Sequence, residues 1–466
     1  MFELSIISAT ILTPLIGGFI TLCIDDKNIK NLKAALFWTS LFTLLFASVG
    51  LSAFNFPLEN ECVKELASKS CIGIDAFSFL FAPIIALICF ACVLWLLKDK
   101  TPKPKIHFAA ILFFEAFALG SLYVFNIFLL FILIEATVVP IYVIMSSRES
   151  PSNEAIFQFL IYTIAGAFLV LTAIIMICLE TKTSNLLEIY KIGVKNKTVF
   201  WLLSLGVGIK MPIWPFYRWL PVVHVKSQTV CSVLLASIIL KFSSLLIVRF
   251  IEPLFLNELS TYQDIITCIL LAGMAFALFQ LVFQDDLKKF FAYFSIIHLN
   301  MYFMILMSGP GKGGFIFSVI GHSVLMAILF FTADIVKRTF NTRLISELKS
   351  IATQFPRVQK LTVLFAFLAL IAIPFSWNFI CEVISVYAVS KISMGYALVA
   401  AGIIIISSLA AVYVYCSHFI NISGSAGTGK GDVIDEYKKF VMYALFGITL
   451  IIGINPNLIL RFFLKI

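Results

Sequence analysis

The chain has 466 residues, of which 61% are hydrophobic and 13% charged, and it carries a net charge of +9; its mean hydropathy is +1.04. A soluble globular protein carries about twice that charged fraction, so no soluble domain fits, and the class is an all-α polytopic membrane protein. The positive balance does not point to nucleic acid, because the basic residues sit in alternate short loops, as expected at a lipid bilayer surface.

Apolar runs of about 20 residues, the length an α-helix needs to cross hydrocarbon, recur along nearly the whole chain. About fourteen spans are predicted. The first, 3–23, lacks a basic start and a small-residue cleavage motif, so it reads as a retained span. Lys27, Lys30 and Lys33 lead into the second, 33–54. The next loop sets Glu59, Glu61 and Glu65 against Lys64 and Lys69, and holds Cys62 and Cys71. An oxidising outer compartment would permit these two to form a disulfide; two free thiols are the alternative. Span 75–97 is followed by Lys98, Lys100, Lys103 and Lys105. Then come 107–123, 125–146, 155–179, 198–220, 228–250, 262–283, 290–308, 313–336, 360–388, 394–420 and 437–462. The eleventh loop carries Lys337, Arg338, Arg343, Lys349, Arg357 and Lys360. Odd-numbered loops are thus the basic ones, which places them on the cytoplasmic or equivalent side and both termini outside. The sixth loop, with Lys182, Lys191, Lys195 and Lys197, runs against this pattern. "GSAGTGK" at 424–430 imitates a phosphate-binding loop, but Gly431 stands where Ser or Thr belongs and no strand precedes it, so it reads as a flexible connection. The ten cysteines lie mostly in apolar runs, with no metal-ligand spacing.

A charged side chain at mid-membrane costs about 2.5–3.5 kcal/mol on insertion scales, so it persists only where it is paired, hydrated or used. Five stand out: Glu115 in "ILFFEAFALG", Glu135 in "LLFILIEATVVPIY", Lys210 in "LGVGIKMPIWPFYRWLP", Lys241 in "LLASIILKFSSLL" and Glu382 in "IPFSWNFICEVISV". His298 and His322 join them in spans ten and eleven. One Glu–Lys pair would serve as structural glue between helices. A set spread over seven spans points instead to a path for protons or ions. Glu115 has a structural alternative, capping a helix contact without titrating, and each histidine has another, as a satisfied polar contact.

Prolines sharpen this reading. Lys210 is followed by Pro212 and Pro215, and Pro374 precedes Glu382. Proline removes a backbone donor and clashes with the preceding turn, and freed backbone groups survive in a bilayer only where protein or water satisfies them. Two such interrupted spans, five apart and each with a charge, are expected of paired inverted repeats with ion sites at their breaks. Spans four to eight (107–250) and nine to thirteen (262–420) would be two five-helix repeats inside one membrane domain, 1–466, with broken helices 7 and 12. Burial disfavours the charged form of an amine and a nearby carboxylate favours it. A change in the Glu135–Lys210 separation would therefore change how firmly Lys210 holds its proton; Lys241 could receive that proton and Glu382 pass it outward, the groups titrating as a coupled set.

At these residues the sequence resembles the antiporter-like subunits of respiratory complex I, in the branch called subunit M or chain 4. "GIDAFSFLF" resembles the entry to span three, "EATVVPIY" span five, "KMPIWPFYRWLPVVH" with "SVLLASIILK" spans seven and eight, "DDLKKFFAYFSIIH" the approach to span ten, and "IPFSWNFICE" span twelve. The resemblance covers most of residues 70–390. It maps a proton pathway onto Glu135, Lys210, Lys241, His298, His322 and Glu382. Val222, Lys226, Ser227 and Gln228 depart from the family pattern after "RWLP", and family glycines are replaced at Phe375 and Cys381. A short tail after the last span sets the chain apart from chain 5, which adds a long lateral helix. The resemblance implies a proton-translocating subunit of NADH:quinone oxidoreductase with no redox centre of its own. NAD, FMN, iron–sulfur clusters and quinone are then expected in partner subunits, and this chain shows no dinucleotide or iron–sulfur motif. It implies other complex I membrane subunits as partners, especially the two other antiporter-like ones (L and N, or chains 5 and 2). The bacterial inner membrane is the expected location, with the mitochondrial inner membrane as alternative. A subunit of a multisubunit cation/proton antiporter, and a structural subunit whose charges no longer move protons, are the competing readings.

Overall fold

The computed structural model describes residues 2–53, 63–67, 72–147, 151–308, 311–351, 357–419 and 434–462. Cys62, Cys71 and the glycine-rich connection at 424–430 lie outside the described residues. Among the described residues, twelve helices are long and apolar enough to cross a membrane. The two other predicted spans, 198–220 and 360–388, are each divided: Lys197–Lys210 from Trp219–Lys226, and Arg357–Leu370 from Trp377–Ile392. One feature departs from an all-helical chain. The predicted polar loop before span three carries two antiparallel strands, Val63–Ala67 and Ile72–Asp75, with Val63 opposite Asp75. Ile72 and Ile74 alternate with Gly73 and Asp75 at the strand period of two, a stretch too short for a span-length hydropathy window to register.

The chain divides into two compact units, residues 1–211 with 238–261 and 465–466, and residues 212–237 with 262–464. In the first, helices Phe2–Cys23, Ile29–Ala53, Ala76–Leu96 and Pro104–Tyr123 pack on one another. Lipid tails are as apolar as leucine, so such packing depends on close approach of small residues. Polar caps set where the helices begin. Asp75 accepts from the Ser78 amide, Asn126 from the Phe128 and Leu129 amides, and Ser152 from that of Ala155. The span from Ile127 to Ser146 is interrupted at Thr137, because Pro140 has no amide to offer the Ala136 carbonyl. Helices Asn153–Thr181 and Lys197–Lys210 cross at two glycines: a Cβ on Gly166 would lie 2.9 Å from the Gly206 carbonyl oxygen.

In the second unit, helix Leu287–Ile305 is buried along almost its whole length, and so is Lys312–Phe340. Gln263–Val282, Trp377–Ile392, Met394–His418 and Glu436–Ile454 complete the bundle. Arg357–Leu370 stops ahead of Pro374, and Ser376 caps the next segment by accepting from the Phe379 amide. Between them Ala372 and Phe375 have φ of 53° and 71°. A side chain in that left-handed region costs roughly 1–2 kcal/mol relative to glycine. The Phe375 ring is 66% exposed, so its removal sacrifices little packing within the chain. Phe375→Gly is therefore expected to raise the apparent melting temperature of the purified protein, by an amount equivalent to about 1 kcal/mol. A thermal shift assay in detergent reads this directly; a lowered midpoint would contradict the strain assigned to that turn.

Candidate functional site

The residues singled out in the sequence contribute to a polar cluster in each unit. In the first, Lys210 ends its helix at the proline break and its ammonium donates to the Glu135 carboxylate. Glu135 lies just before the Thr137 interruption, so both partners sit beside a proline-disturbed helix, although only the Lys210 break was evident from the sequence pattern. Neither is sealed off: the side chains of Lys210 and Glu135 are 10% and 23% exposed. The glycine crossing brings the neighbouring helix onto the pair, since a Cβ on Gly166 would also lie 3.1 Å from Lys210 Cγ.

Lys241 is fully buried on segment Leu240–Leu246, which packs on helix Lys197–Lys210. Widened π turns flank it at Leu235–Ile239 and Ile247–Ile251, a helix irregularity frequent at functional sites. The buried hydroxyls of Ser243 and Ser244 beside it have no hydrogen-bond partner among the described residues. Such groups are suited to hold water. Glu115 is buried elsewhere in this unit, where the Ser40 hydroxyl and Cys89 face it without ordinary hydrogen-bond geometry. It is not part of the Glu135–Lys210 cluster.

Arg249 was not singled out in the sequence, where it lies near the end of the predicted span 228–250. It is 1% exposed. Its guanidinium donates to Asp75 Oδ2 (2.8 Å), Ser78 Oγ (2.8 Å) and the carbonyls of Ser121 (3.3 Å), Leu122 and Val124 (3.0 Å), and it lies 4.3 Å over the Phe125 ring. One side chain thus joins the capped start of helix Ala76–Leu96 to the free carbonyls ending helix Pro104–Tyr123.

In the second unit the structure brings His298, His322 and Glu382 together. Glu382 Oε1 lies 3.3 Å from His298 Nε2 and accepts from Asn378 Nδ2 (3.1 Å). Asn378 also donates to the Leu370 carbonyl at the helix break (3.3 Å) and accepts from the Tyr302 hydroxyl (3.1 Å). The His298 ring stacks on Tyr302 at 5.8 Å and meets His322 edge-on at 5.9 Å. Tyr302 and Asn378 were missed because neutral polar residues do not stand out in an apolar run. On its other side Glu382 borders an open apolar groove lined by Phe379, Tyr387 and Met394. Each cluster can hold a proton on a nitrogen next to a carboxylate, beside a break in its helix.

Long packed helices, two of them broken next to partly buried ionisable groups, define a membrane-embedded, antiporter-like protein. Residues 124–409 match the family described as NADH:quinone oxidoreductase/Mrp antiporter, transmembrane, and the chain belongs to that family. NADH-quinone oxidoreductase subunit M of Rickettsia prowazekii is 26% identical over 483 aligned positions, covering 99% of this chain and 98% of the relative. The same fold recurs, at 19% identity and a TM-score of 0.84, in respiratory complex I from Thermus thermophilus, covering 98% of this chain and 97% of that one. It recurs also in the Mrp complex from Dietzia sp. DQ12-45-1b, at 16% identity and a TM-score of 0.87, covering 99% and 96%.

The glycine crossing yields a paired test. In Gly166→Val the new side chain must push against the Gly206 backbone and Lys210, an overpacking that costs about 1–3 kcal/mol. Gly402→Ala, on an open helix face with nothing within 4 Å, should leave stability unchanged or raise it by up to about 1 kcal/mol. Equal thermal midpoints for the two variants would show that the crossing is not tight.

Proposed function

We propose that this chain is a proton-translocating membrane subunit of respiratory complex I, of the subunit M or chain 4 type. It contributes to NADH:quinone oxidoreductase without a redox centre of its own; NAD, FMN, iron–sulfur clusters and quinone belong to partner subunits. The observation that carries this reading is the Glu135–Lys210 pair at the helix break, in a chain aligned over 99% of its length with a subunit M relative. In this reading fourteen crossings form one membrane domain, 1–466, with inverted repeats at 107–250 and 262–420. Its partners are the other membrane subunits, especially the two other antiporter-like ones (L and N, or chains 5 and 2). The chain sits in a bacterial inner membrane with both termini outside, or in the mitochondrial inner membrane. A subunit of a multisubunit cation/proton antiporter is the second reading, favoured by the fold likeness to the Mrp complex.

Glu135 modulates the hold of Lys210 on its proton, Lys241 is the central carrier, and His298, His322 and Glu382 pass the proton on to the exit. Glu115 is an accessory group in this scheme. Removal of the counter-ion in Glu135→Ala should lower proton pumping by about a hundredfold, the low end of what positioned proton-transfer groups contribute, with assembly intact. Lys241→Arg keeps a charge that does not leave in the useful range, so it should pump nearly as poorly as Lys241→Ala. The assay is the assembled complex in proteoliposomes, with pumping and electron transfer followed together. Wild-type pumping by Lys241→Arg would make Lys241 an electrostatic fixture and refute the relay.

A further inference from the structure

We propose that Lys288 is the proton-entry residue of the second unit, feeding the His298–Glu382 cluster along one face of helix Leu287–Ile305. This inference rests on the proton-translocating reading above. Lys288 is 3% exposed, at the first turn of that helix. Its Nζ donates to the Ser227 carbonyl (3.0 Å) and to Ser232 Oγ (2.9 Å). Both acceptors are neutral. The charged and ionisable groups facing it are Asp334, Asp286, Arg343 and Cys231, and the two carboxylates are engaged elsewhere. Asp286 receives Arg343 Nε (2.6 Å) and the amides of Lys288 (2.8 Å) and Lys289 (3.2 Å). Asp334 receives Thr229 Oγ1 (2.7 Å) and Arg338 Nε (2.6 Å). Among the described residues, Lys288 is therefore held without an ion pair of its own.

That arrangement suits a group that gains and loses a proton. An ammonium has three N–H donors, and the neutral amine left after deprotonation keeps two. Both hydrogen bonds of Lys288 thus survive the change, and no bonded counter-charge is left stranded. The helix then supplies a route. Ser295 lies seven residues on and His298 three further, all on one face, at roughly 10 and 15 Å along the axis. The Ser295 hydroxyl is buried and has no hydrogen-bond partner among the described residues, which suits it to hold a water between the amine and the imidazole. Arg343, in one of the basic loops, donates to the Val225 carbonyl (2.6 Å) close to Lys288 in this unit, so the site lies at the end expected to face the cytoplasm. In each cycle a proton leaves Nζ for a water oxygen on the His298 side, and another reaches Nζ from the aqueous face; only O–H and N–H bonds form and break.

The test uses the assembled complex in proteoliposomes and compares Lys288→Arg, Lys288→Met, Ser295→Val and Glu382→Ala. Lys288→Arg preserves charge and donors but retains its proton, so protons pumped per electron should fall as far as in Lys288→Met. A structural role predicts rescue by Arg, and rescue overturns the proposal. Should the Lys288 variants not assemble, Ser295→Val decides: it places an apolar group in the route and leaves the amine in place, and wild-type pumping overturns the proposal. Loss in Glu382→Ala with normal pumping in every Lys288 and Ser295 variant removes the entry residue alone. Normal pumping in all four removes the proton-translocating reading itself.

Discussion

The guanidinium of Arg249 fixes the first unit. A buried cation is tolerated only when its donors are used, and here a carboxylate, a hydroxyl and three carbonyls take them up. Those carbonyls close helix Pro104–Tyr123, which carries Glu115, while the carboxylate opens helix Ala76–Leu96. The Tyr190 hydroxyl adds a fourth element by donating to the Arg249 carbonyl (2.8 Å). Lys241 lies eight residues earlier on the same helical run, so the clamp and the buried amine share one support. A helix anchored this firmly at one end can carry π turns on either side of Lys241 without losing its place.

The two clusters meet the same requirement with different chemistry. Glu135 and Lys210 form a direct ion pair, partly open, in which either partner stabilises the charge of the other. Glu382 instead sits in a network of mainly neutral groups: an imidazole, an amide, and through them a phenol and a backbone carbonyl. In such a network the hydrogen bonds polarise one another, and charge is spread over several of them. Asn378 holds the Leu370 carbonyl and the Glu382 carboxylate with one amide, so the backbone at the break and the position of the Glu382 carboxylate are linked through a single side chain.

Much of this was legible in the sequence. Glu135, Lys210, Lys241 and Glu382 are conspicuous because charge within a long apolar run is rare for an energetic reason. The helix breaks at Pro212–Pro215 and Pro374 could be placed because proline acts locally. Residues near span ends were harder to read. Arg249 and Lys288 look like interfacial charges in a linear sequence, and only the folded chain shows that they are buried. Tyr302 and Asn378 gain their significance from partners 76 residues apart, which no local pattern records. The interruption at Thr137 could have been found from Pro140, which lies in the same motif as Glu135. The strand pair before span three was hidden by its shortness.

Direct contact between Gly166 and Gly206 leaves no side-chain cushion between their helices. A cushion of leucines can be compressed or re-sorted, and helices separated by one can tilt or part. Two backbones in contact lose their attraction as soon as they separate. Lengthwise travel meets side chains, since Val170 Cγ2 and Leu169 Cβ would lie 2.8 and 3.2 Å from a Cβ on Gly206. The crossing is therefore a fixed point for helix Lys197–Lys210, and departure of the Lys210 ammonium from Glu135 is resisted by the same pair of glycines.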